Sequence, residues 1–345
     1  MKVLVTGGAG YIGCVLVKEL LDRGYSVRIF DKFYFGKEPL KHVAKKVECI
    51  QGDLKNFDPA ILDGIGGVIH LGGFSNDPMA EFNPKFNDEV NAEATKILAE
   101  ACIKKGVYRF VYASSASIYD KGLKGSDKEQ TEEENEVEPK SAYSASKYKG
   151  ELFLLELMQK EPRFCPVILR QGTVFGYSPR MRYDLVVNTF VKDAIKKGKL
   201  TVFCGGSAWR PLVSVNDLVK AQILAMEAKE ELVRGQLFNV SLGNYQIWDI
   251  AHRVREVFKK IKPIEVDIDY SPERMDRSYK ISNKKMENLL GMRYTVSIED
   301  AVREMIEKIS NGAFNDFDNP QYYNIKWIEF LKEMEDKLKE MGGVF

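Results

Sequence analysis

Short apolar runs punctuate the first 170 positions of the chain: Lys2–Val5, Ser26–Phe30, Val47–Ile50, Gly67–Leu71, Arg109–Ala113 and Cys165–Leu169. Each has the length of a strand and is apolar nearly throughout, the pattern of strands buried on both faces. Between several of them apolar residues recur at i, i+3 and i+4, over Ile12–Arg23, Pro84–Lys105 and Ala142–Gln159, which predicts helices. This alternation implies an α/β fold, a doubly wound parallel sheet covered by helices. Beyond about residue 172 the rhythm becomes irregular. Helical patterns (Leu185–Lys197, Val215–Ala228, Ile247–Phe258, Ile298–Ile309) mix with brief strands (Thr201–Phe203, Leu237–Val240, Glu265–Ile268). The division expected is a parallel-sheet domain over 1–171, a smaller α/β lobe over 172–312 from which segments can return to the first, and a helical tail over 313–345. The amphipathic stretch Trp327–Met341 is expected to pack on the surface.

Composition narrows the class. Among 345 residues, 51 Lys and Arg balance 50 Asp and Glu, so the chain lacks the basic excess of a nucleic-acid or membrane-surface binder. No apolar run approaches the length of a membrane span, and the first one breaks at Thr6 and Gly7, too early for a secretion signal. The five cysteines form no CxxC pair, and His42, His70 and His252 have no metal-ligand spacing. No metal site is expected, and the chain reads as a soluble, cytoplasmic protein. The acidic stretch Ser126–Glu138 reads as a solvated loop.

Chemistry begins directly after the first strand. Thr6-Gly7-Gly8-Ala9-Gly10-Tyr11-Ile12-Gly13 satisfies GxGxxG through Gly8, Gly10 and Gly13, and GxxGxxG through Gly7, Gly10 and Gly13. Glycines there allow a tight turn, close approach of a pyrophosphate and contact of helix with strand, while the helix N-terminus faces the phosphates. Asp31 lies 18 residues after Gly13, at the end of the second strand. A carboxylate at that place accepts from ribose hydroxyls and repels a 2′-phosphate, favouring NAD over NADP, with Lys32 pulling the other way. Asp53, after the third strand, suits an adenine amino group.

A second constellation follows. Tyr143-Ser144-Ala145-Ser146-Lys147 puts a phenol and an ammonium on one helix face. A nearby ammonium and an oxidised nicotinamide would lower the phenol's pKa towards neutrality and make it a base. Tyr112-Ala113-Ser114-Ser115-Ala116-Ser117-Ile118-Tyr119 ends the fifth strand, where open α/β sheets bind ligands, and a serine there can hold the oxygen that Tyr143 deprotonates. Leu71-Gly72-Gly73 closes the fourth strand with residues small enough for a cofactor to lie against the backbone.

Taken together, these motifs resemble the extended short-chain dehydrogenase/reductases, and within them the NAD-dependent nucleotide-sugar epimerase/dehydratase group, over roughly residues 1–310. The resemblance implies a Rossmann-type sheet with NAD bound at Gly7, Gly10, Tyr11, Ile12, Gly13, Asp31, Asp53, Leu54, Leu71, Gly72, Gly73, Asn91, Tyr143 and Lys147, the last of these fixing the nicotinamide ribose. It implies a Ser115, Tyr143 and Lys147 triad, with Ser115 preferred to Ser114 and Ser117 by counting back from Tyr119. Arg210, in Arg210-Pro211-Leu212-Val213-Ser214-Val215-Asn216-Asp217, and Arg277 match the family's two arginines for the substrate diphosphate. Ser178–Asn188 resembles a stretch typical of part of the group, with Asn188 as a substrate-phosphate contact. Two departures stand out: Asp120 follows Tyr119 where the family has glycine, and Gly72-Gly73 replaces two alanines.

The resemblance also bears on the reaction. The family's 4,6-dehydratases carry Asp-Glu after the strand-end hydroxyl, whereas this chain has Ala116-Ser117. Dehydration is therefore disfavoured, leaving oxidation at sugar C4. Return of the hydride to the opposite face gives an epimerase; departure of the ketone gives a 4-dehydrogenase or a 4-ketoreductase. A non-catalytic NAD-binding sensor is the alternative of another class, and it predicts a broken triad. The partners implied are a nucleoside-diphosphate sugar and a second copy of the chain, a homodimer formed through the helices of Pro84–Lys105 and Ala142–Gln159.

Overall fold

A computed structural model describes residues 1–120, 128–133, 137–261, 265–272 and 277–343. Parts of the acidic stretch (126–127 and 134–136) and residues 274–276 before Arg277 lie outside them.

Seven strands hydrogen-bond in the order Leu237–Val240, Cys165–Gln171, Arg109–Ser115, Gly67–His70, Lys2–Thr6, Ser26–Asp31, Val47–Gln51. All neighbours in this sheet run parallel. The apolar runs form the strands because each needs a covered environment on both faces. Gly67–His70 and Cys165–Gln171 are buried throughout. Val47–Gln51 departs from that expectation: it is a strand, but it sits at the sheet edge with Glu48 and Cys49 exposed. Glu48 there pairs with Lys2 and Arg28, which places charge on an edge otherwise open to further strands.

Helices cover both faces. Leu16, Val17 and Leu20 of the helix Tyr11–Asp22 share one core with Leu218 and Val219 of Val215–Glu227. Leu98 and Cys102 of Ala94–Lys104 share another with Leu154 and Leu157 of Ala142–Lys160. Chain beyond residue 172 thus returns to the large sheet, through Val215–Glu227 and the edge strand Leu237–Val240. The stretch expected as one helix over Pro84–Lys105 is a short helix, Pro84–Asp88, a π-turn, Glu89–Glu93, and then Ala94–Lys104.

The second lobe has its own core, in which Phe175, Tyr183, Phe190, Phe258 and Val302 are buried among the helices Val186–Lys197, Ile247–Ile261 and Ile298–Ser310. Its strands are more numerous than the apolar pattern suggests. Gly243–Gln246, Trp209–Ser214 and Thr173–Phe175 form one small sheet, and Lys199–Phe203 pairs with Asp267–Ser271. Among the described residues no helix is long and apolar enough to cross a membrane.

The tail helix Asn324–Glu340 departs from the expectation that it packs on the surface: Phe330, Met334 and Leu338 stay exposed, and only the beginning of the helix is held. Trp327 Nε1 donates to the Tyr34 carbonyl at 2.5 Å, and the Tyr183 hydroxyl donates to the Phe314 carbonyl at 2.8 Å. The first turn of the helix is thereby fastened to the first lobe and the chain before it to the second.

The strand order reverses between Lys2–Thr6 and Gly67–His70, which opens a crevice at their carboxyl ends. His70 pins this place. Its Nδ1 lies 2.6 Å from Thr6 Oγ1 and its Nε2 2.9 Å from Thr95 Oγ1, and burial pulls its pKa down to about 3. The folded state holds His70 neutral, whereas an unfolded chain protonates it below about pH 6.5. Its contribution is therefore fully present above about pH 6.5 and is lost progressively on acidification towards about pH 3. We expect stability to fall by about 1 kcal/mol between about pH 6.5 and 5.5 from this group. Urea unfolding of the parent and of His70→Gln checks it: the variant should show a shallower acid slope, and equal slopes would remove His70 from the account.

Candidate active site

The crevice widens into a cavity of about 500 Å³ between the lobes. Every residue expected to bind cofactor or substrate, or to react, lines it except Asn91 and Asn188.

The cofactor end is built from close backbone contacts. Gly7 has φ +69°, and a Cβ there would stand 2.8 Å from Gly72 N and 2.9 Å from Gly72 Cα. Only glycine permits this approach. Gly10 ends the turn and opens the helix Tyr11–Asp22, whose first N–H groups face the cavity. The Asp31 carboxylate accepts from Ala9 N at 2.9 Å and Phe33 N at 2.7 Å, and burial nevertheless raises its pKa. Asp53 is paired with Lys32 at 2.6 Å. Burial pushes this carboxyl up, but the Lys32 bond and the Lys55 amide outweigh it and hold it below its ordinary value. The ammonium of Lys32 is thus paired with Asp53, which offsets part of its charge at this end of the cavity.

Asn91 and Asn188 act from behind the wall. Asn91, in the π-turn, accepts from Phe74 N at 2.8 Å and donates to Phe74 O at 3.1 Å and Ser146 Oγ at 3.2 Å. It clamps the loop after Gly73 to the helix that carries Tyr143. Asn188, expected to meet a substrate phosphate, is instead buried with its amide engaged by Gly176 N, the Arg182 carbonyl and the Tyr11 hydroxyl. It sits on the first turn of Val186–Lys197, buried where this helix meets Tyr11 of the first lobe.

The candidate reactive groups come from two elements. Ser141 caps the helix Ala142–Lys160 in a reciprocal bond with Ser144, fixing the turn that bears Tyr143. The strand end supplies Ser115, whose Oγ accepts from Ser117 N and lies 2.9 Å from Ser117 Oγ. Behind them a buried pair of Glu151 with Arg170 at 2.7 Å, joined by Ser114, locks this helix to the sheet. Burial drives the Tyr143 phenol up to about 12, opposed by a hydrogen bond with Ser115 and by the Arg182 charge. Burial drives Lys147 down to about 8, opposed by Glu151. The expected fall of the phenol's pKa is thus not produced by the chain alone.

Arg210 and Arg277 converge at the far end. Arg210 Nη1 donates to the Arg277 carbonyl at 2.5 Å. The Arg277 guanidinium pairs with Asp77 and, at 3.2 Å, with Asp120. Asp120 also accepts from Ser278 N at 3.1 Å, which explains the departure from glycine at that position: it ties down the segment bearing Arg277. Sequence reading missed further residues of the wall. From Ser178–Asn188 it selected Asn188, yet Arg180 and Arg182 are the arginines of that stretch that line the cavity. Arg182 pairs with Asp184 at 2.8 Å. Arg180 has no such partner among the described residues, and burial, with the like charge of Arg182, pulls it down to about 9. Asn324 of the tail also lines the cavity, donating to Ser75 Oγ at 2.7 Å.

The model of the NAD-dependent epimerase/dehydratase family matches residues 3–241. The chain belongs to this family. Among curated relatives, UDP-glucuronic acid decarboxylase 1 of Arabidopsis thaliana is 27% identical, over 92% of this chain and 71% of its own length. A putative UDP-glucose 4-epimerase of Methanocaldococcus jannaschii is 26% identical, over 90% and 99%. The solved structure of the Thermus thermophilus UDP-glucose 4-epimerase complexed with NAD matches at TM-score 0.76 and 27% identity, covering 91% of this chain and all of the other. The residues at the cofactor end fit the family's NAD: a glycine turn that admits no Cβ, a fixed Asp31 and a Lys32 paired with Asp53.

Removing the Asn91 amide leaves the Phe74 backbone groups buried and unpaired. We expect Asn91→Ala to lose about 2–3 kcal/mol in urea unfolding. A loss under about 0.5 kcal/mol would show that this loop needs no such brace.

Proposed function

We propose that this family member is a nucleotide-sugar 4-epimerase that works by transient oxidation at sugar C4. The observation that carries the reading is the state of the carboxylates. Asp31, Asp53, Asp77 and Asp184 line the cavity, and each is engaged by a cation or by backbone N–H groups. No described carboxyl is left beside Tyr143 to protonate a departing hydroxyl, and Ala116, at the position where the family's dehydratases carry an acid, is buried. The groups that remain are Ser115, Ser117, Tyr143 and Lys147, a set suited to moving one proton on and off a sugar hydroxyl.

In this reading Arg210 and Arg277 hold the diphosphate of the substrate, and the sugar extends towards Ser115. Tyr143 takes the C4 hydroxyl proton, Ser115 keeps the oxygen in place, and Lys147 favours the phenolate by its positive charge. NAD, when bound, supplies the hydride acceptor and later donor, and its positive nicotinamide ring supplies the charge that lowers the Tyr143 pKa from its value in the chain alone. Tyr143 then returns the proton after the sugar has presented its other face.

The test is a panel of UDP-, GDP-, dTDP- and CDP-sugars, a uronic acid among them, followed by product NMR and absorbance at 340 nm. The expected result is an inverted C4 centre without net NADH. Stoichiometric NADH would instead make the protein a dehydrogenase, and release of carbon dioxide from the uronic acid would make it a decarboxylase. Tyr143→Phe should lower turnover by about 10²- to 10⁴-fold.

The same reading includes a homodimer. Ile97 and Leu152 are 43% and 48% exposed on the adjacent helices Ala94–Lys104 and Ala142–Lys160. Apolar side chains on that shared face suit a four-helix contact between two copies. Light scattering should give twice the chain mass, falling to the single mass in Ile97→Asp/Leu152→Asp; a monomeric parent would contradict the dimer.

A further inference from the structure

Gln171 ends the strand Cys165–Gln171 and pairs in register with Ser115, the last residue of Arg109–Ser115. Neighbouring strands lie about 4.8 Å apart, and register partners on parallel strands project from the same face of the sheet. The pair before them, Arg170 and Ser114, leaves the opposite face, where both side chains hold Glu151. Ser115 and Gln171 are thereby turned to the other side at the open end of the sheet. Both line the cavity, together with Tyr143, Thr173 and Tyr279. Gln171 is only 8% exposed, and its Nε2 is buried without a hydrogen-bond partner among the described residues. A buried amide donor left unpaired is costly. The packing does not require it, since an unbranched apolar side chain of the same length would fill the place without that cost.

A polar ligand in the cavity is what the amide lacks, and its neighbour indicates which part of the ligand comes within reach. The inference rests on the 4-epimerase reading, in which Ser115 holds the C4 oxygen. The side chains of Ser115 and Gln171 stand side by side, so a pyranose with that oxygen on Ser115 presents to Gln171 the substituent of a carbon next to C4. We propose that Gln171 determines specificity for the sugar, its amide holding the C3 hydroxyl in one orientation of the ring and the C6 hydroxyl in the other. Half a turn about the C1–C4 axis of a pyranose exchanges the C3 side with the C5 side, which carries C6, while the C4 oxygen stays at Ser115. An amide suits both orientations because it donates through Nε2 and accepts through Oε1. The substrate is then a hexose that keeps its hydroxyls at both C3 and C6. Gln171 touches neither the proton nor the hydride in transit; it orients the ring that exchanges them.

The test uses the full-length enzyme with UDP-, GDP-, dTDP- and CDP-glucose and their 3-deoxy and 6-deoxy analogues, followed by product NMR and absorbance at 340 nm. The parent should lose about 10- to 100-fold in kcat/KM when either hydroxyl is missing. Gln171→Met keeps the length and removes the amide. It should lose as much on the intact sugar and then distinguish the three sugars by no more than about threefold. Its Tm without substrate should be no lower than the parent's, because an unpaired buried amide is gone, and its affinity for NAD should stay within about twofold. A variant within about twofold of the parent on the intact sugar would overturn the proposal. So would a variant-to-parent ratio that is the same on all three sugars, or a loss of NAD affinity large enough to account for the effect, which would place the amide on the cofactor. Stoichiometric NADH from the parent in place of an inverted sugar contradicts the epimerase reading alone, because the comparison of the three sugars still decides whether Gln171 holds the ring. A parent that turns over none of the sugars overturns both.

Discussion

Backbone pressed against backbone at Gly7 and Gly72 is the constraint on which the rest of this molecule depends. The two strands that carry these residues are neighbours at the point where the sheet order reverses, and their ends diverge to either side of the crevice. Thr6 holds them together through its hydroxyl, which accepts from Gly72 N at 3.1 Å and meets His70 at 2.6 Å. A single methyl group at Gly7 would force them apart. From that seam the helix Tyr11–Asp22 points its N-terminus into the cavity, the loop after Gly73 turns towards Tyr143, and the second lobe bolts on through Ser178 and Tyr11. Cofactor end, reactive groups and lobe contact share one origin.

Charge in the cavity is mostly closed on itself. Lys32 with Asp53, Arg182 with Asp184, and Arg277 with Asp77 and Asp120 each form a self-contained group. Against these neutralised walls Tyr143 and Lys147 are both pushed towards their uncharged forms by burial. In the proposed reading, a phenol held in this way becomes a base only when a positive ligand arrives, so that proton removal is coupled to cofactor binding through desolvation.

Much of this was legible in the residues. The six apolar runs of the first half are strands of the large sheet, since buried parallel strands leave an almost uninterrupted apolar signature. The glycine turn, Asp31, Ser115 and the Tyr143–Lys147 spacing lie where their local patterns indicated, because each belongs to a single turn or strand end. What the pattern concealed is long-range. Strands such as Gly243–Gln246, whose residues Gly-Asn-Tyr-Gln do not alternate, exist only because Trp209–Ser214 pairs with them. The π-turn at Asn91 leaves no periodic trace. Asn188 and Arg180 sit in one short stretch, and only tertiary packing decides which of them is buried against Tyr11 and which lines the cavity. Asn324 joins the site from just before the amphipathic stretch, where no periodic signal marks it, and that stretch leaves Phe330, Met334 and Leu338 exposed where amphipathicity suggested a packed face. Val47–Gln51 shows the opposite error: its apolar residues suggested a covered strand, whereas it closes the sheet edge.

The central claim is that one proton and one hydride leave and return at sugar C4 within a single closed site. It is tested most directly with a nucleotide sugar that the enzyme turns over, deuterated at C4, in ordinary water. The account predicts that the inverted product keeps its deuterium at C4 with no loss to solvent, because the hydride never leaves the protein. Product that has exchanged the label for solvent hydrogen, or that has inverted while exchanging hydrogen at C3 or C5, would contradict it.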